Sequence, residues 1–234
     1  MSQKLSDAEI LESWQVNAKP WINAIDNKEI ESRQLVTNQA IVDAIINIKP
    51  HSVLDIGCGE GWLAASLIEK GIDVFGIDGV PHLIEKARKI KNGEFAICTY
   101  EELSSYKFNR KFDCMVCNFS LIGKESTERV IASAKTLLKP GGRFIIQTLH
   151  PVIACSDMPY EDGWREGSWA GFSKDFTKPA PWYFRTLESW LRLFSDNELQ
   201  IKHIAEPINP KTKKPASIVF EVSKSIYAPL LHES

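Results

Sequence analysis

The feature that most constrains the fold is a glycine-rich turn that directly follows a short apolar run. Residues 53–62 read VLDIGCGEGW, in which Gly57, Gly59 and Gly61 stand between the run and a helical pattern. Glycine permits a tight turn and the close approach of a ligand, and a helix that starts here offers unpaired N–H groups to an anion. The stretch therefore predicts a strand, a turn and a helix that together hold a small charged ligand.

Short apolar runs alternate with amphipathic stretches between residues 50 and 148. Each run is too short for a helix and is apolar on both faces, which is typical of parallel strands covered by helices on both sides. The pattern therefore predicts a doubly wound α/β domain. The predicted strands are 53–56, 74–77, 95–98, 114–118 and 144–148, and the predicted helices are 61–70, 81–91 and 125–138.

The alternating core and its flanking segments predict one domain with four parts. Residues 1–50 have helical spacing and are expected to form an N-terminal cap on the cofactor-binding core at 51–150. Residues 151–185 carry eight aromatic side chains between positions 160 and 184, and we expect them to form a substrate lid. In 186–224, a helix precedes two strand-like runs whose connection is too short for a helical crossover, which predicts an antiparallel hairpin.

Composition argues against several classes of protein. The chain has 28 basic and 30 acidic residues, so it lacks the basic excess typical of proteins that bind nucleic acid. No apolar run reaches the roughly 18–20 residues that cross a bilayer, and residues 1–10 lack the apolar core of a signal peptide. We therefore expect a cytoplasmic protein without a membrane or nucleic-acid partner.

Cys114 and Cys117 form a lone C-x-x-C, which is too weak a pattern to predict a metal site.

Asp55 indicates which charged ligand suits the turn. A dinucleotide site has the spacing G-x-G-x-x-G, whereas the third glycine comes one residue earlier here. A carboxylate two residues before Gly57 would repel a pyrophosphate and attract an ammonium. The turn therefore suits a ligand with an amine and a carboxylate, such as the methionine end of S-adenosylmethionine. Asp78 ends the second strand, where a carboxylate can accept hydrogen bonds from ribose hydroxyls.

Four motifs in this order resemble those of class I S-adenosylmethionine-dependent methyltransferases of the small-molecule type. They are VLDIGCGEGW, VFGIDGV, FDCMVCNFSLI and LLKPGGRFIIQT, and the resemblance covers about residues 30–150. It implies a Rossmann-like seven-stranded sheet in the order 3-2-1-4-5-7-6 with the last strand antiparallel, N-terminal helices and an aromatic-rich insertion after strand 5. It also implies methyl transfer from S-adenosylmethionine, which leaves S-adenosylhomocysteine, to an oxygen or nitrogen of a small metabolite.

The resemblance also implies a set of cofactor contacts. In this family the methionine moiety lies on the glycine turn, the ribose at the acid that ends the second strand, and the adenine against residues after the second and third strands. Thr99 stands where many relatives have an Asp, so the acceptor for the adenine amino group differs. The contacts carried over are Asp55, Gly57, Gly59, Gly61, Asp78, Gly79, Val80, Tyr100, Glu101, Asn118 and Phe119.

Three residues are candidates for chemistry on the methyl acceptor. His150 directly follows the fifth strand, and histidine is a side-chain type that can take up a proton at neutral pH, so this residue is either a general base or a histidine that only bonds to nearby loop backbone. Tyr183 and Arg185 precede a helix in a position where small-molecule methyltransferases often contact substrate. Arg185 would clamp a carboxylate or pair with Glu188 on the helix surface.

Two other functions remain open. An NAD(P)-dependent oxidoreductase uses a similar strand, turn and helix, although the early third glycine and Asp55 argue against it. A non-catalytic S-adenosylmethionine-binding protein would keep the glycine turn, but its side chains would fill the space for an acceptor.

Overall fold

The computed structural model describes residues 5–225, and its main body is a seven-stranded sheet. A separate antiparallel pair of short strands lies in the insertion after strand 5. The sheet contains β1 (Ser52–Ile56), β2 (Asp73–Asp78), β3 (Glu94–Ile97), β4 (Phe112–Asn118), β5 (Leu138–Thr148), β8 (Leu199–Ala205) and β9 (Ile218–Lys224), and the pair contains β6 (Gly163–Arg165) and β7 (Trp182–Phe184).

Helices cover both faces of the sheet. They are α1 (Asp7–Asp26), α2 (Asn38–Asn47), α3 (Trp62–Ile68), α4 (Pro81–Ala87), α5 (Glu125–Leu137), α6 (Pro151–Ala154) and α7 (Leu187–Asp196), and a π-helix (Arg33–Thr37) precedes α2. Helices α2 and α3 share one apolar cluster with the sheet, while α5 and α7 share another. All five residues of β1 are buried, as expected for a central parallel strand between two helical layers.

The order of strands in the sheet is β3-β2-β1-β4-β5-β9-β8. Without the short strands β6 and β7, this is the predicted order 3-2-1-4-5-7-6. Strands β1 to β5 pair in parallel, and β9 pairs antiparallel with both β5 and β8. The predicted fold class and the predicted terminal hairpin are therefore confirmed. The carboxyl ends of β1, β2 and β4 meet at one edge of the sheet.

Some boundaries differ from the prediction for physical reasons. Helix α1 runs through Pro20, which removes one helical hydrogen bond without ending the helix. Strand β5 starts at Leu138, before the predicted 144, because Leu138 already pairs with Phe112. The register then shifts, so residues 139–142 form an irregularity inside the strand where a simple turn was expected.

Cys114 and Cys117 lie three positions apart on β4, so their side chains point to opposite faces of the sheet. Cys114 packs in the cluster with α2 and α3, and Cys117 in the cluster with α5 and α7. Within residues 5–225 no group of side chains is arranged to hold a metal ion. Across the same residues, no helix combines the length and the apolar character that crossing a bilayer requires.

Candidate active site

A cavity of about 500 Å³ opens at the carboxyl ends of the parallel strands. Open α/β sheets bind ligands at this edge, and pockets for small molecules have volumes of about 300–1,000 Å³. The floor of the cavity consists of the turns after β1, β2, β3 and β4. Its roof consists of α1 and of residues 167–182 from the insertion.

The glycine turn forms one end of this floor. Gly57 and Gly59 have φ angles of +74° and +59°, in the left-handed region that favours glycine. The Asp78 carboxylate accepts hydrogen bonds from the backbone N–H of Gly59 at 2.9 Å and of Val80 at 2.8 Å. Each carboxylate oxygen retains a second lone pair, so Asp78 fixes the turn and can still accept a bond from a ligand.

Gly61 lies behind the cavity wall, at the start of α3. Its φ angle is +91°, and a Cβ there would lie 2.5 Å from the Ile90 side chain and 3.1 Å from Ala87 Cβ. Gly61 therefore permits the close packing of α3 against the end of α4. Gly61 does not line the cavity, so the structure does not place it where it was predicted to contact the methionine moiety.

Buried acids surround the turn. Asp55 lies beneath it with 1% of its surface exposed, and its Oδ2 atom has no hydrogen-bond partner within the described residues. Burial raises the pKa of Asp55 to about 8, with further contributions from the negative charges of Asp78 and Glu60. Burial also raises the pKa of Asp78 to about 6, although its two backbone hydrogen bonds act in the opposite direction. This end of the cavity therefore favours a positively charged group.

An arginine and a glutamate at the turn were missed by the sequence analysis. Arg33 stacks 4.7 Å from the Trp62 ring centroid, and Glu60 Oε2 accepts a hydrogen bond from Trp21 Nε1 at 3.0 Å. Arg33 Nη2, Thr37 Oγ1 and Glu60 Oε1 are buried without partners in the described part of the chain. Burial lowers the pKa of Arg33 and raises that of Glu60. The unpartnered donors of Arg33 and Thr37 and the unpartnered acceptor of Glu60 together suit a zwitterionic group.

Tyr100 and Glu101 follow β3 and line the cavity differently. The Tyr100 hydroxyl donates a hydrogen bond to the Ser120 carbonyl at 3.2 Å, and it lies so close to Gly57 that a Cβ there would clash with it. Tyr100 therefore supports the glycine turn, whereas the exposed Glu101 stays at the rim. Nine of the eleven predicted cofactor contacts line the cavity, all except Asp55 and Gly61: Gly57, Gly59, Asp78, Gly79, Val80, Tyr100, Glu101, Asn118 and Phe119.

The predicted general base does not reach the cavity. Neighbouring residues of an extended chain point in opposite directions, and Leu149 takes the cavity side after β5 while His150 does not. His150 Nε2 lies 2.6 Å from Glu206 Oε1, and neither residue lines the cavity. The His150 side chain is nearly buried, and its other ring nitrogen, Nδ1, has no hydrogen-bond partner within residues 5–225. Because His150 does not line the cavity, neither nitrogen is placed to reach a ligand there.

Tyr183 is also turned away from the cavity. Within β7, Trp182 lines the cavity and Tyr183 points to the other face, where its ring contacts Trp164 at a centroid distance of 5.5 Å. The backbone N–H of Tyr183 donates a hydrogen bond to the Ile122 carbonyl at 2.7 Å. Tyr183 therefore attaches the insertion to the cavity wall.

Arg185 holds the same wall from behind. Its guanidinium donates hydrogen bonds to the carbonyl groups of Gly123 and Lys124, both at 3.0 Å, and pairs with Glu128 at 3.2 Å. The expected surface pair with Glu188 is not formed, because Glu188 bonds to Arg192. Arg185 is 5% exposed and absent from the cavity lining, so the structure does not place it as a clamp for substrate.

The roof is assembled from two distant segments of the chain. Asn17 in α1 donates from Nδ2 to the Thr177 carbonyl at 2.7 Å and accepts from the Thr177 N–H at 2.9 Å. The ring of Trp14 contacts the ring of Trp169 edge-on at 5.8 Å. These contacts join α1 to the insertion above the cavity.

The start of α1 is fixed at the opposite wall. The Asp7 carboxylate accepts hydrogen bonds from the backbone N–H groups of Lys124 and Glu125, both at 3.0 Å, and from Ser126 Oγ at 2.6 Å. Burial acts to raise the pKa of Asp7, but hydrogen bonds from Glu125 and Ser126 outweigh it and hold the pKa below its usual value. Asp7 thus stabilises the N-terminus of α5 as an ionised cap.

Known proteins resemble this chain in sequence over its core. A family model described as "Methyltransferase domain" matches residues 49–191. The ubiquinone biosynthesis O-methyltransferase of Xylella fastidiosa is 32% identical over 114 residues, which cover 47% of this chain and 46% of that protein. The demethylmenaquinone methyltransferase of Thermotoga maritima is 31% identical over 114 residues, or 47% of this chain and 49% of that protein. The matched region thus spans about half the length of these relatives.

Solved structures resemble this chain in fold. The 1,6-didemethyltoxoflavin-N1-methyltransferase of Burkholderia thailandensis, solved with 1,6-didemethyltoxoflavin and S-adenosylhomocysteine, has a TM-score of 0.64 at 18% identity and covers 96% of this chain and 93% of that one. An S-adenosylmethionine-dependent methyltransferase from Mesorhizobium loti has a TM-score of 0.58 at 19% identity, with 77% and 97% covered. At these identities the likeness concerns the fold.

Proposed function

Because the chain belongs to the Methyltransferase domain family, we propose that it is an S-adenosylmethionine-dependent methyltransferase that methylates an oxygen or nitrogen atom of a small metabolite. When bound, this cofactor would supply an electrophilic methyl group on a sulfonium. The observation that best supports a small acceptor is the continuous cavity that runs from the glycine turn to an aromatic roof. A cytoplasmic location and the absence of a nucleic-acid partner stay predictions.

The free polar atoms at the glycine turn fit the methionine end of this cofactor. Arg33 Nη2 and Thr37 Oγ1 are buried donors that would bind its carboxylate. The Glu60 carboxylate faces the same end, and Asp55 lies beneath the turn, so both would attract its ammonium. Gly57 and Gly59 would let the methionine moiety approach the backbone.

The ribose and adenine would lie farther along the floor. The free lone pairs of Asp78 suit the ribose hydroxyls, while Gly79 and Val80 form an apolar wall for the adenine. Leu11 in α1 packs against this wall, since a Cβ on Gly79 would lie 3.1 Å from Leu11 Cδ1. Glu101 at the rim is the side chain nearest in sequence to Thr99 that could replace the family's usual acid.

Alignment and exclusion of water supply most of what this reaction needs from the protein. The roof of α1 and the insertion covers the cavity, and Asn118 and Phe119 line it at the carboxyl end of β4. His150, Tyr183 and Arg185 bond to protein groups outside the cavity, so we assign them to support of its walls. In this proposal, the cavity promotes the reaction by aligning the nucleophilic atom of the acceptor with the methyl group.

Two measurements test the proposal. Calorimetry with S-adenosylhomocysteine is expected to show binding, and the same titration with NADH is expected to show none. A panel of phenols, amines, carboxylic acids and thiols, assayed for release of S-adenosylhomocysteine from S-adenosylmethionine, is expected to give turnover on a phenol or amine. Binding of NADH alone would favour an oxidoreductase, and cofactor binding without turnover on any compound would favour a non-catalytic protein.

A further inference from the structure

We propose that the methyl acceptor is a neutral, planar aromatic compound that lies against the aromatic roof; this inference rests on the proposed methyl transfer. The part of the cavity concerned is the acceptor half, defined as the surface lined by Asp7 and Ile10 of α1, by residues 119–126, by Leu149 and by residues 167–182. The glycine turn and the turns after β2 and β3 line the other half.

Aromatic and aliphatic side chains make up most of the acceptor half. The insertion contributes Trp169, Phe172 and Trp182, and α1 contributes Ile10. Trp14 packs with Val80 of the other half and contacts Trp169 at the boundary between the halves. Aromatic rings offer large flat faces, and a second ring packed against them gains free energy beyond that of simple burial. An aliphatic acceptor of the same size would use these faces less well.

The rings of the roof are held in place before any ligand binds. Trp169 Nε1 donates a hydrogen bond to the Thr177 carbonyl at 3.0 Å, and its ring contacts Phe172 and Phe176. On the other side, the Trp182 ring lies 6.0 Å from Phe184 and 5.7 Å from the Arg165 guanidinium. Rings that are already ordered lose little conformational entropy when a flat ligand docks on them.

The charges of the cavity are concentrated away from the acceptor half. Arg33, Glu60 and Asp78 line the glycine-turn end, and Glu101 lies after β3. Asp7 lines the acceptor half, but its two oxygens accept three hydrogen bonds from the start of α5. A charged acceptor would lose its hydration against aromatic walls, which is costly without a close partner of opposite charge. The acceptor half therefore favours an uncharged compound.

Three matched probes test planarity and charge separately. They are 3-hydroxyacetophenone, its saturated analogue 3-acetylcyclohexanol, and 3-hydroxybenzoate, which carries a carboxylate at neutral pH. Calorimetry with each probe is done on the protein saturated with S-adenosylhomocysteine. We expect the neutral aromatic probe to bind about five- to tenfold more tightly than either of the other two.

A pair of variants locates the binding surface. Trp182→Leu removes an aromatic face of the cavity, and Trp164→Leu makes the same change in the neighbouring strand outside the cavity. We expect Trp182→Leu to weaken binding of the aromatic probe about five- to tenfold. Trp164→Leu is expected to change the affinity for this probe less than twofold. Both variants are expected to bind S-adenosylhomocysteine as the parent does.

The outcomes separate this inference from the proposed function. Equal binding of the three probes, no measurable binding of the aromatic probe, or equal effects of the two variants would overturn the aromatic acceptor. Each of these results is compatible with methyl transfer as long as S-adenosylhomocysteine binds. Failure of S-adenosylhomocysteine to bind contradicts the proposed function instead, and the probes are then titrated into the ligand-free protein to decide the aromatic preference on its own.

Discussion

The two halves of the cavity are built from contacts of different range. At the glycine turn, Asp78 bonds to Gly59 and Val80, which are 19 and 2 positions away in the chain. In the roof, Asn17 bonds to Thr177, 160 positions away. The turn is thus held by residues at the ends of neighbouring strands, including Tyr100 beside Gly57, whereas the roof exists only when α1 and the insertion meet. We expect substitutions in the turn to affect the cofactor, and those in the acceptor half to affect stability or acceptor binding.

Asp78→Ala gives the largest expected effect and tests the glycine-turn half of the cavity, whose contacts join residues closer together in the sequence than those of the roof. The variant loses two hydrogen bonds that hold the turn and the proposed contact with the ribose. We expect binding of S-adenosylhomocysteine to weaken about ten- to a hundredfold or to be lost, as measured by calorimetry. Asp73→Ala, at the other end of β2 where the side chain pairs with Arg110, is the control and is expected to bind normally. An Asp78→Ala variant with parent affinity would exclude Asp78 from the site.

Arg185→Met tests whether the wall behind the acceptor half depends on a buried cation. The carbonyl groups of Gly123 and Lys124 lose their partner, so we expect the free energy of unfolding in urea to fall by about 2–3 kcal/mol. Binding of S-adenosylhomocysteine is expected to stay within about twofold.

The exposed Arg192, which pairs with Glu188 in α7, provides the matched control for Arg185. Arg192→Met is expected to change stability by less than about 0.5 kcal/mol. A substrate clamp at position 185 would give the reverse pattern, with parent stability and a raised KM for the acceptor.

Titration of the buried acids tests the electrostatics of the turn. The pKa of Asp55 rises on folding from about 3.8 to about 8, so the folded protein binds more protons than the unfolded chain between these values. Stability is then highest below this range and falls as the pH rises through it. Denaturation in urea at several pH values checks this slope.

Asp55→Asn removes the titrating group and is expected to flatten the slope of stability against pH. In the parent, we also expect affinity for S-adenosylhomocysteine to rise from pH 6 to pH 8, because an ionised Asp55 attracts the ammonium. A parent protein whose stability is constant from pH 5 to pH 8 would contradict the buried carboxylic acid.

His150→Asn gives the smallest expected effect. Since His150 pairs with Glu206 outside the cavity, we expect kcat to change less than about twofold and the pH profile of the rate to keep its shape. A general base would behave differently, because its removal typically costs about a hundredfold or more in kcat and removes one limb of that profile. Kinetics on the acceptor found in the panel decides between the two.

The elements that follow local patterns could be predicted from the sequence. The parallel strands are short apolar runs, and the glycine turn is specified within ten residues, so its position in the fold follows from the motif alone. Tyr100 and Gly61 show the limit of this approach. Both are among the expected cofactor contacts, but Tyr100 supports Gly57 and Gly61 packs against Ala87 and Ile90, contacts that only the packed structure reveals.

Other parts of the site depend on information that the sequence pattern lacks. The direction of a side chain alternates along an extended segment, so a shift of one residue exchanges Leu149 with His150. Arg33 reaches the glycine turn from a π-helix, an irregularity that helical spacing does not predict. Glu60, whose negative charge acts on Arg33, looks like an ordinary turn residue until the fold brings the two side chains near each other.

The distribution of tryptophan gives the cavity an optical reporter. Five of the seven tryptophans line it: Trp14, Trp21, Trp62, Trp169 and Trp182. The intrinsic tryptophan fluorescence of the protein therefore comes mainly from indole rings that a ligand would touch or dehydrate. Quenching and spectral shifts can follow occupancy in a rapid-mixing instrument, so the order in which the two ligands enter is accessible without a dye.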